Sequence, residues 1–522
     1  MIAALALGAA LSRFVIMHER VEAYGVRGTG TIVVDRETGR FARRFAAGPA
    51  SEQEGWDGTR AWRADATGTS RVQANSGERA EILAWSAALV RAIDTTPHHA
   101  HAAGGTDRVD ISFGRYRTFG ALSLPGRIVS KSEQNGVWTA DLEGAQASAH
   151  AADGAFAPPA APTADFHLDR VSRIPIAMTI GSPVVEVRVN GVRLHFLLDT
   201  GGQNVITPRA AQMARLAAVG DGIVSGGGGG TAPIRYAFAD SVRVGAADML
   251  HQPFIVLPAA SLPPVDGIVG YELLARFAVR LDMEHQTLEL APTAQDFGPA
   301  VAPARFGYDD RQPQLEGALD SVRGNFSIDT GSSLTAQIPT PIVRANHLIE
   351  RLHATVATHA SDVAGPYPIY LVRARTLRLG RAAFPRPLVD LLVRATTSHN
   401  STIVANVGDG ILRRWILVFD YPHQTIDFRP GGDPSGTVVH DRSGIVLAAK
   451  SAALVAGLVF SGTPASGAGI AEGAEIVAVN GGAVSASDLL RVRGLLRGRP
   501  GTKVHLQLRD GSEHELTLRQ YL

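Results

Sequence analysis

The stretch "LHFLLDTGGQNVITP" (Leu194–Pro208) carries an apolar run into Asp-Thr-Gly and then turns polar and glycine-rich. One Asp-Gly turn after a strand is ordinary. A second stretch, "RGNFSIDTGSSLTAQIP" (Arg323–Pro339), does the same thing again. "VRLHFLLDTG" from Val192 aligns with "VRGNFSIDTG" from Val322 at an offset of 130 residues (322 minus 192). Downstream, "GYELLARFAVRLDMEHQTLEL" from Gly270 aligns with "GDGILRRWILVFDYPHQTIDF" from Gly408. Leu274 falls on Leu412, Arg276 on Arg414, Phe277 on Trp415, Asp282 on Asp420, and His285-Gln286-Thr287 on His423-Gln424-Thr425. A repeat of this kind implies two related units of about 130 residues. Each reads as strands leading to Asp-Thr-Gly, a helix ("TPRAAQMARLA" in the first), more strands, a Gly-led helical turn and a closing hairpin. The His-Gln pairs sit at the hairpin bends and read as turn residues rather than catalysts.

Two equivalent Asp-Thr-Gly turns put chemistry within reach. Pairing the units about a pseudo-twofold would bring Asp199 and Asp329 together. Two carboxyl groups in hydrogen-bonding contact do not both ionise easily, so they share a proton. The ionised partner can take a proton from water while the protonated one polarises a carbonyl, which is general acid–base attack without a covalent intermediate. Gly201 and Gly331 let the backbone approach and turn sharply. Thr200 and Thr330 carry hydroxyls suited to bonding across to the opposite loop.

On these motifs the chain resembles the bacterial aspartyl protease family, with short retropepsin-like lobes in tandem and a C-terminal PDZ domain. The lobes' second signature, two apolar residues and Gly, stands as Ile268-Val269-Gly270, and as Asn406-Val407-Gly408 with a polar first residue. The resemblance spans roughly residues 165 to 432. It implies a mainly β, bilobal protease body with Asp199 and Asp329 as the catalytic pair and no metal or cofactor. Thr200, Gly201, Thr330, Gly331 and Ser332 are the supporting residues. The family commonly has Ser, Thr or Ala where this chain has Gly202. Ser332 offers a hydroxyl that Gly202 lacks, so Asp329 is expected to be the more readily ionised. A lid belongs at "DGIVSGGGGGTAPIRYAF" (Asp221–Phe238), whose glycines Gly226, Gly227, Gly228, Gly229 and Gly230 suit a mobile tip. "HASDVAGPYPIYLV" (His359–Val372) is its stiffer counterpart in the second unit.

The expected boundaries are 1–160 for a β-rich N-terminal domain weakly resembling the half-barrel of lipoprotein-carrier proteins, 165–295 and 296–432 for the two lobes, and 433–522 for the PDZ domain. "GTPASGAGI", "EGAEIVAVNG" and the Asp510-Gly511 turn carry the PDZ resemblance. It implies capture of a peptide C-terminus at Ser443, Gly444, Ile445 and Val446 by strand addition. "AFAPPAAPTADF" (Ala155–Phe166) reads as a linker, and His98 to Gly105 as a His- and Gly-rich break of solvated histidines. "MIAALALGAALSRF" (Met1–Phe14) lacks a basic start and reads as a helix of the mature fold rather than a signal peptide. Periplasmic or secreted placement follows from the resemblance alone.

The formal net charge of +1 gives no bulk attraction to nucleic acid or anionic membrane, and no stretch after the N-terminus is apolar for the length of a span. The chain has no cysteine, which rules out disulfides and thiol catalysis. The expected partner is a peptide or protein substrate, with a C-terminal peptide as ligand of the PDZ domain. Two other functions fit the same residues: a catalytically silent peptide-binding scaffold, and a carrier of an apolar ligand in the N-terminal domain.

Overall fold

The computed structural model describes residues 12–73, 77–93, 98–104, 107–132, 136–160, 164–178, 181–225, 231–258, 262, 264–362, 365–393, 403–431, 441–450 and 452–521. The fold is mainly β, with sheets of ten, two, fourteen, ten and six strands among these residues. The glycines Gly226–Gly230 and the first eleven residues lie outside the described residues. Among the described residues, no helix is long and apolar enough to cross a membrane.

The N-terminal region is an antiparallel sheet that begins at Phe14–Ala23 and ends at its edges with Ser70–Gln73 and His98–Gly104. The helix Gly77–Ala92 lies against it through Ile82, Trp85 and Leu89, spaced three and four apart on one face. Glu78 in its first turn and Arg91 in its last suit the helix dipole. The sequence reading fails in two places here. The His-rich segment is a strand, His98–Gly104, paired antiparallel with Asp107–Gly114. His99 Nδ1 meets Ser112 Oγ at 3.0 Å and His101 Nδ1 meets Asp110 Oδ1 at 2.5 Å, so cross-strand partners override its loop-like composition. The Pro/Ala segment is tied down rather than free. Phe156 is buried beside Phe14 and Trp62, Trp62 Nε1 donates to Phe156 O at 2.9 Å, and Arg44 donates to Ala155 O at 2.8 Å.

In the middle of the chain, one strand arrangement occurs twice. The strand Val192–Leu198 runs parallel to Gly267–Val269, which pairs antiparallel with Val205–Ile206. The strand Val322–Ile328 runs parallel to Ile403–Val407, which pairs antiparallel with Ala336–Ile338. Phe196, Leu198, Phe326 and Ile328 are fully buried, as parallel pairing covered on both faces requires. Each such side chain withdrawn from water contributes roughly 1.5–3 kcal/mol. The hairpins Ala278–Ala291 and Trp415–Pro430 then join the two copies through the pairs Val279–Phe419, Arg280–Val418 and Leu281–Leu417. At their bends Gln286 and Gln424 take the left-handed conformation (φ 52° and 51°), and His285 and His423 bond Asp282 and Asp420 through Nδ1. These histidines therefore shape turns.

Among the described residues, the N-terminal sheet meets the middle region around Tyr24 and around Arg71. Asp221 N donates to Tyr24 O at 2.8 Å, and the Tyr24 and Tyr236 rings lie 5.9 Å apart. Arg71, on the edge strand Ser70–Gln73, donates through Nε to Asp310 O at 2.5 Å and through Nη2 to Asp310 Oδ1 at 2.7 Å. The C-terminal region is a six-stranded sheet with the helix Leu489–Leu496 and its own apolar core, and the strand Ile445–Lys450 forms one edge.

Candidate active site

Both Asp-Thr-Gly turns follow directly from the paired strands. Asp199 N donates to Val269 O at 3.0 Å, and Asp329 N donates to Val407 O at 2.9 Å. The carbonyl that ends each parallel neighbour therefore fixes each aspartate. The next residues cross over: Thr200 N donates to Thr330 Oγ1 at 3.1 Å, and Thr330 N to Thr200 Oγ1 at 3.0 Å. Each hydroxyl also donates to the opposite strand, Thr200 Oγ1 to Ile328 O and Thr330 Oγ1 to Leu198 O, both at 2.8 Å. Both threonines are buried, so all four bonds are shielded from water. The result is a rigid base that holds the two carboxyl groups within hydrogen-bonding reach of each other.

The close approach depends on glycine. A Cβ at Gly331 would lie 2.3 Å from Asp199 Cγ, and one at Gly201 would lie 2.9 Å from Asp329 Oδ1. Gly202 clears the carboxyl of its own turn: a Cβ there would sit 2.9 Å from Asp199 Oδ2. Gly270 and Gly408 follow the parallel strands and pack against the turns, where a Cβ would come within 2.3 Å of Gly202 O and 2.5 Å of Ser332 O.

The two carboxyl groups have unequal surroundings. Asp199 accepts from Gly201 N at 2.6 Å. Asp329 accepts from Gly331 N at 2.9 Å and Ser332 N at 3.1 Å on Oδ1, and from Asn406 Nδ2 at 2.6 Å on Oδ2. Burial, and then the neighbouring Asp329, push Asp199 well above the usual carboxylate range. Burial also raises Asp329, but the Asn406 amide and the hydrogen bond with Asp199 oppose the rise. The surroundings thus favour the anion at Asp329 over the anion at Asp199. The sequence reading named Ser332 for its hydroxyl. In the structure Ser332 supports Asp329 through its backbone N–H, and Asn406 supplies the donor to the outer oxygen. Asn406 was visible as the polar residue in the second apolar-apolar-Gly signature, but nothing in the sequence gave it a partner.

Two further buried acids lie close behind the turns. Asp409 follows Gly408, is wholly buried, and is held well above the usual range, first by burial and further by the two nearby aspartates. Glu272 accepts from Asn204 N at 2.7 Å through Oε2, and burial pushes it up to about 7. Its folded pKa exceeds its unfolded value, so the stability it contributes is complete below the unfolded pKa and is lost as pH rises through about 7. Glu272→Gln removes the ionisation and keeps an oxygen acceptor. It is expected to raise stability at pH 8 by up to about 3 kcal/mol and to change it little at pH 4, as measured by denaturant unfolding at both pH values.

The lid-position segment has strands Val219–Ser225 and Thr231–Val244 paired antiparallel, with the glycine tip outside the described residues. The counterpart in the second unit is the hairpin Val356–Asp362 and Gly365–Arg373. Far from the aspartates in sequence, Ser443 N, Gly444 N and Ile445 N all donate to Asp441 Oδ1, at 2.9, 2.6 and 3.2 Å. Val446 stands exposed on the edge strand.

A family model described as "Aspartyl protease" matches residues 185–273. Among solved structures, the chain is similar to the crystal structure of an aspartic proteinase from Irpex lacteus, at 12% identity and a TM-score of 0.36, over 51% of this chain and 99% of that one. A search of curated proteins returns no match. Over residues 185–273, the chain is thus similar to an aspartyl protease family.

Proposed function

We propose that the protein is an aspartic endopeptidase in which Asp329 draws a proton from a water and protonated Asp199 donates to the substrate carbonyl. The observation that carries this reading is the asymmetric pair itself. Two half-buried carboxyl groups in mutual contact end equivalent strands, and the extra amide from Asn406 falls on only one of them. A pair with one proton holds both an acid and a base at one pH, which hydrolysis of an amide by water requires. The amide nitrogen leaves after accepting a proton through the same pair. The test is incubation of the full chain with a mixed peptide library across about pH 3 to 7, with mass-spectrometric detection of new termini. Internal cleavage by the native chain, absent in Asp199→Asn, supports the reading. No cleavage, or cleavage that persists in the variant, rejects it.

A second reading concerns the C-terminal region. Three consecutive amides converge on one carboxylate oxygen beside an edge strand, an arrangement suited to a peptide C-terminus. Here the chain's own Asp441 takes that place. We propose that it competes with peptide carboxylates at the high effective concentration of an intramolecular ligand. Asp441→Ala is expected to bind peptides with free apolar C-termini at least about tenfold tighter than the native chain, and amidated peptides no better, by fluorescence polarisation. Equal binding of both peptide forms would remove this role.

A further inference from the structure

Asn406 has two faces and uses both. Its Nδ2 donates to Asp329 Oδ2 at 2.6 Å, and its Oδ1 accepts from Gln312 Nε2 at 3.1 Å. A carboxamide can turn over and present its oxygen where its N–H₂ stood. If Asn406 did so, Asp329 would face an acceptor, which suits its neutral form and not its anion. The Gln312 donor opposes that rotation, because a turned amide would set N–H₂ against N–H₂.

Gln312 is itself held. It opens the strand Gln312–Leu319, directly after the two-residue turn Asp310-Arg311, where Asp309 pairs with Gln312. Asp310 takes a left-handed conformation (φ 51°), and Arg71 grips both its carbonyl and its carboxylate from the edge of the N-terminal sheet. Arg71's side chain is 1% exposed and that of Asp310 58%, so the grip is half-buried, with the guanidinium on the inner side. The Gln312 amide also lies beside the other turn: a Cβ on Gly201 would be 3.0 Å from Gln312 Nε2.

The first unit has no such pair. At the offset of 130 residues, Gln312 falls on Ser182 (312 minus 130). Counting two residues back from each signature glycine, Asn406 falls on Ile268, which has no polar atom to offer. The two-amide relay is therefore specific to the Asp329 side.

We propose that Gln312 is a positioning residue, which orients the Asn406 carboxamide so that Asp329 is the anionic member of the pair, and that Arg71 fixes the turn from which Gln312 acts. This rests on the endopeptidase reading for its consequence in catalysis, but not for its effect on Asp329. The titratable groups that face Asp329 are Asp199, Asp409 and Tyr421, and none is altered by the variants below.

The test uses the full chain with Gln312→Met, which keeps side-chain length and removes the donor, and Asn406→Leu, which removes the relay. The direct readout is the Asp329 titration, followed by NMR of ¹³C-carboxyl-labelled aspartate and assigned with Asp329→Asn. Gln312→Met is expected to raise the Asp329 pKa by about one unit, a tenfold change in proton affinity, with Asn406→Leu shifting it at least as far. The double variant should add nothing to Asn406→Leu, because Gln312 acts only through Asn406. The acid limb of kcat/KM should move upward by the same interval. Arg71→Met should give a smaller shift in the same direction. An unmoved Asp329 titration in folded Gln312→Met, or an additive double variant, overturns the proposal. If the titration shifts while neither native chain nor variant cleaves peptides, the relay stands and the endopeptidase reading falls. If the native chain cleaves and Gln312→Met loses rate evenly at every pH, Gln312 is merely structural and the relay is rejected.

Discussion

Asp199→Asn is expected to lower kcat/KM for peptide cleavage by about 10³–10⁴-fold or more while leaving the fold intact. Asparagine has the shape of aspartate, and its carbonyl oxygen can still accept from Gly201 N, the bond that orients the side chain at 2.6 Å. The four Thr200–Thr330 crossing bonds do not involve the carboxyl groups and should persist. What disappears, on the proposed mechanism, is the proton that Asp199 donates to the substrate carbonyl. Removing a half-buried ionisable acid also removes a desolvation cost, so the variant should unfold at the same denaturant concentration as the native chain or a higher one. Loss of cleavage with unchanged unfolding is the combination that assigns the loss to chemistry. Asp329→Asn should abolish activity as well, because the base is gone. The two single variants also report the intrinsic order of the pair. The carboxyl left in Asp199→Asn, which is Asp329, should titrate below the one left in Asp329→Asn. The reverse order would mean that the Asn406 amide does not decide which aspartate ionises.

How far the sequence reaches depends on which physical rule places each residue. The repeat of Asp-Thr-Gly and Gly-led segments was legible because covalent spacing fixes it, and an apolar run into a glycine turn has few structural outcomes. The turn role of the His-Gln pairs was legible for the same reason. Asn406 and Gln312 were not, because their contact joins strands 94 residues apart, and no local pattern encodes a bond between two amides at that separation. Ser332 shows a related limit. Its hydroxyl suggested a donor, but the turn already aims its backbone N–H at Asp329. For His98–Gly104 and the Phe156 segment, composition misleads. Histidine, alanine and proline look like loop material, yet a cross-strand partner for each histidine and a buried ring for the Pro/Ala segment decide otherwise. Asp441 carries no motif, because its consequence lies in the amides it occupies.

Gly331→Ala is the second change with a large expected effect, and its value lies in comparison with Gly201→Ala. The two glycines hold equivalent places in the repeat, so sequence alone predicts equal outcomes. The structure separates them. The added methyl of Gly331→Ala meets Asp199 at its Cγ (2.3 Å) and both oxygens (2.5 and 2.6 Å), a carboxyl group anchored by its own turn. The methyl of Gly201→Ala meets Asp329 Oδ1 at 2.9 Å and Cγ at 3.0 Å, together with the end of the longer Gln312 side chain. Overlap of the first kind drives the two carboxyl groups apart, and a displacement on the order of 1 Å in a reacting group costs about 10²-fold in rate. Overpacking adds a stability loss of about 1–3 kcal/mol. Gly331→Ala should therefore lose at least about 10²-fold in kcat, while Gly201→Ala keeps measurable activity because smaller movements relieve it. Steady-state kinetics on one cleaved peptide, with denaturant unfolding of both variants, decides the matter. Equal losses would mean that the carboxyl groups are not packed against the opposite turns as described, and the asymmetry argued for the pair would lose its structural basis.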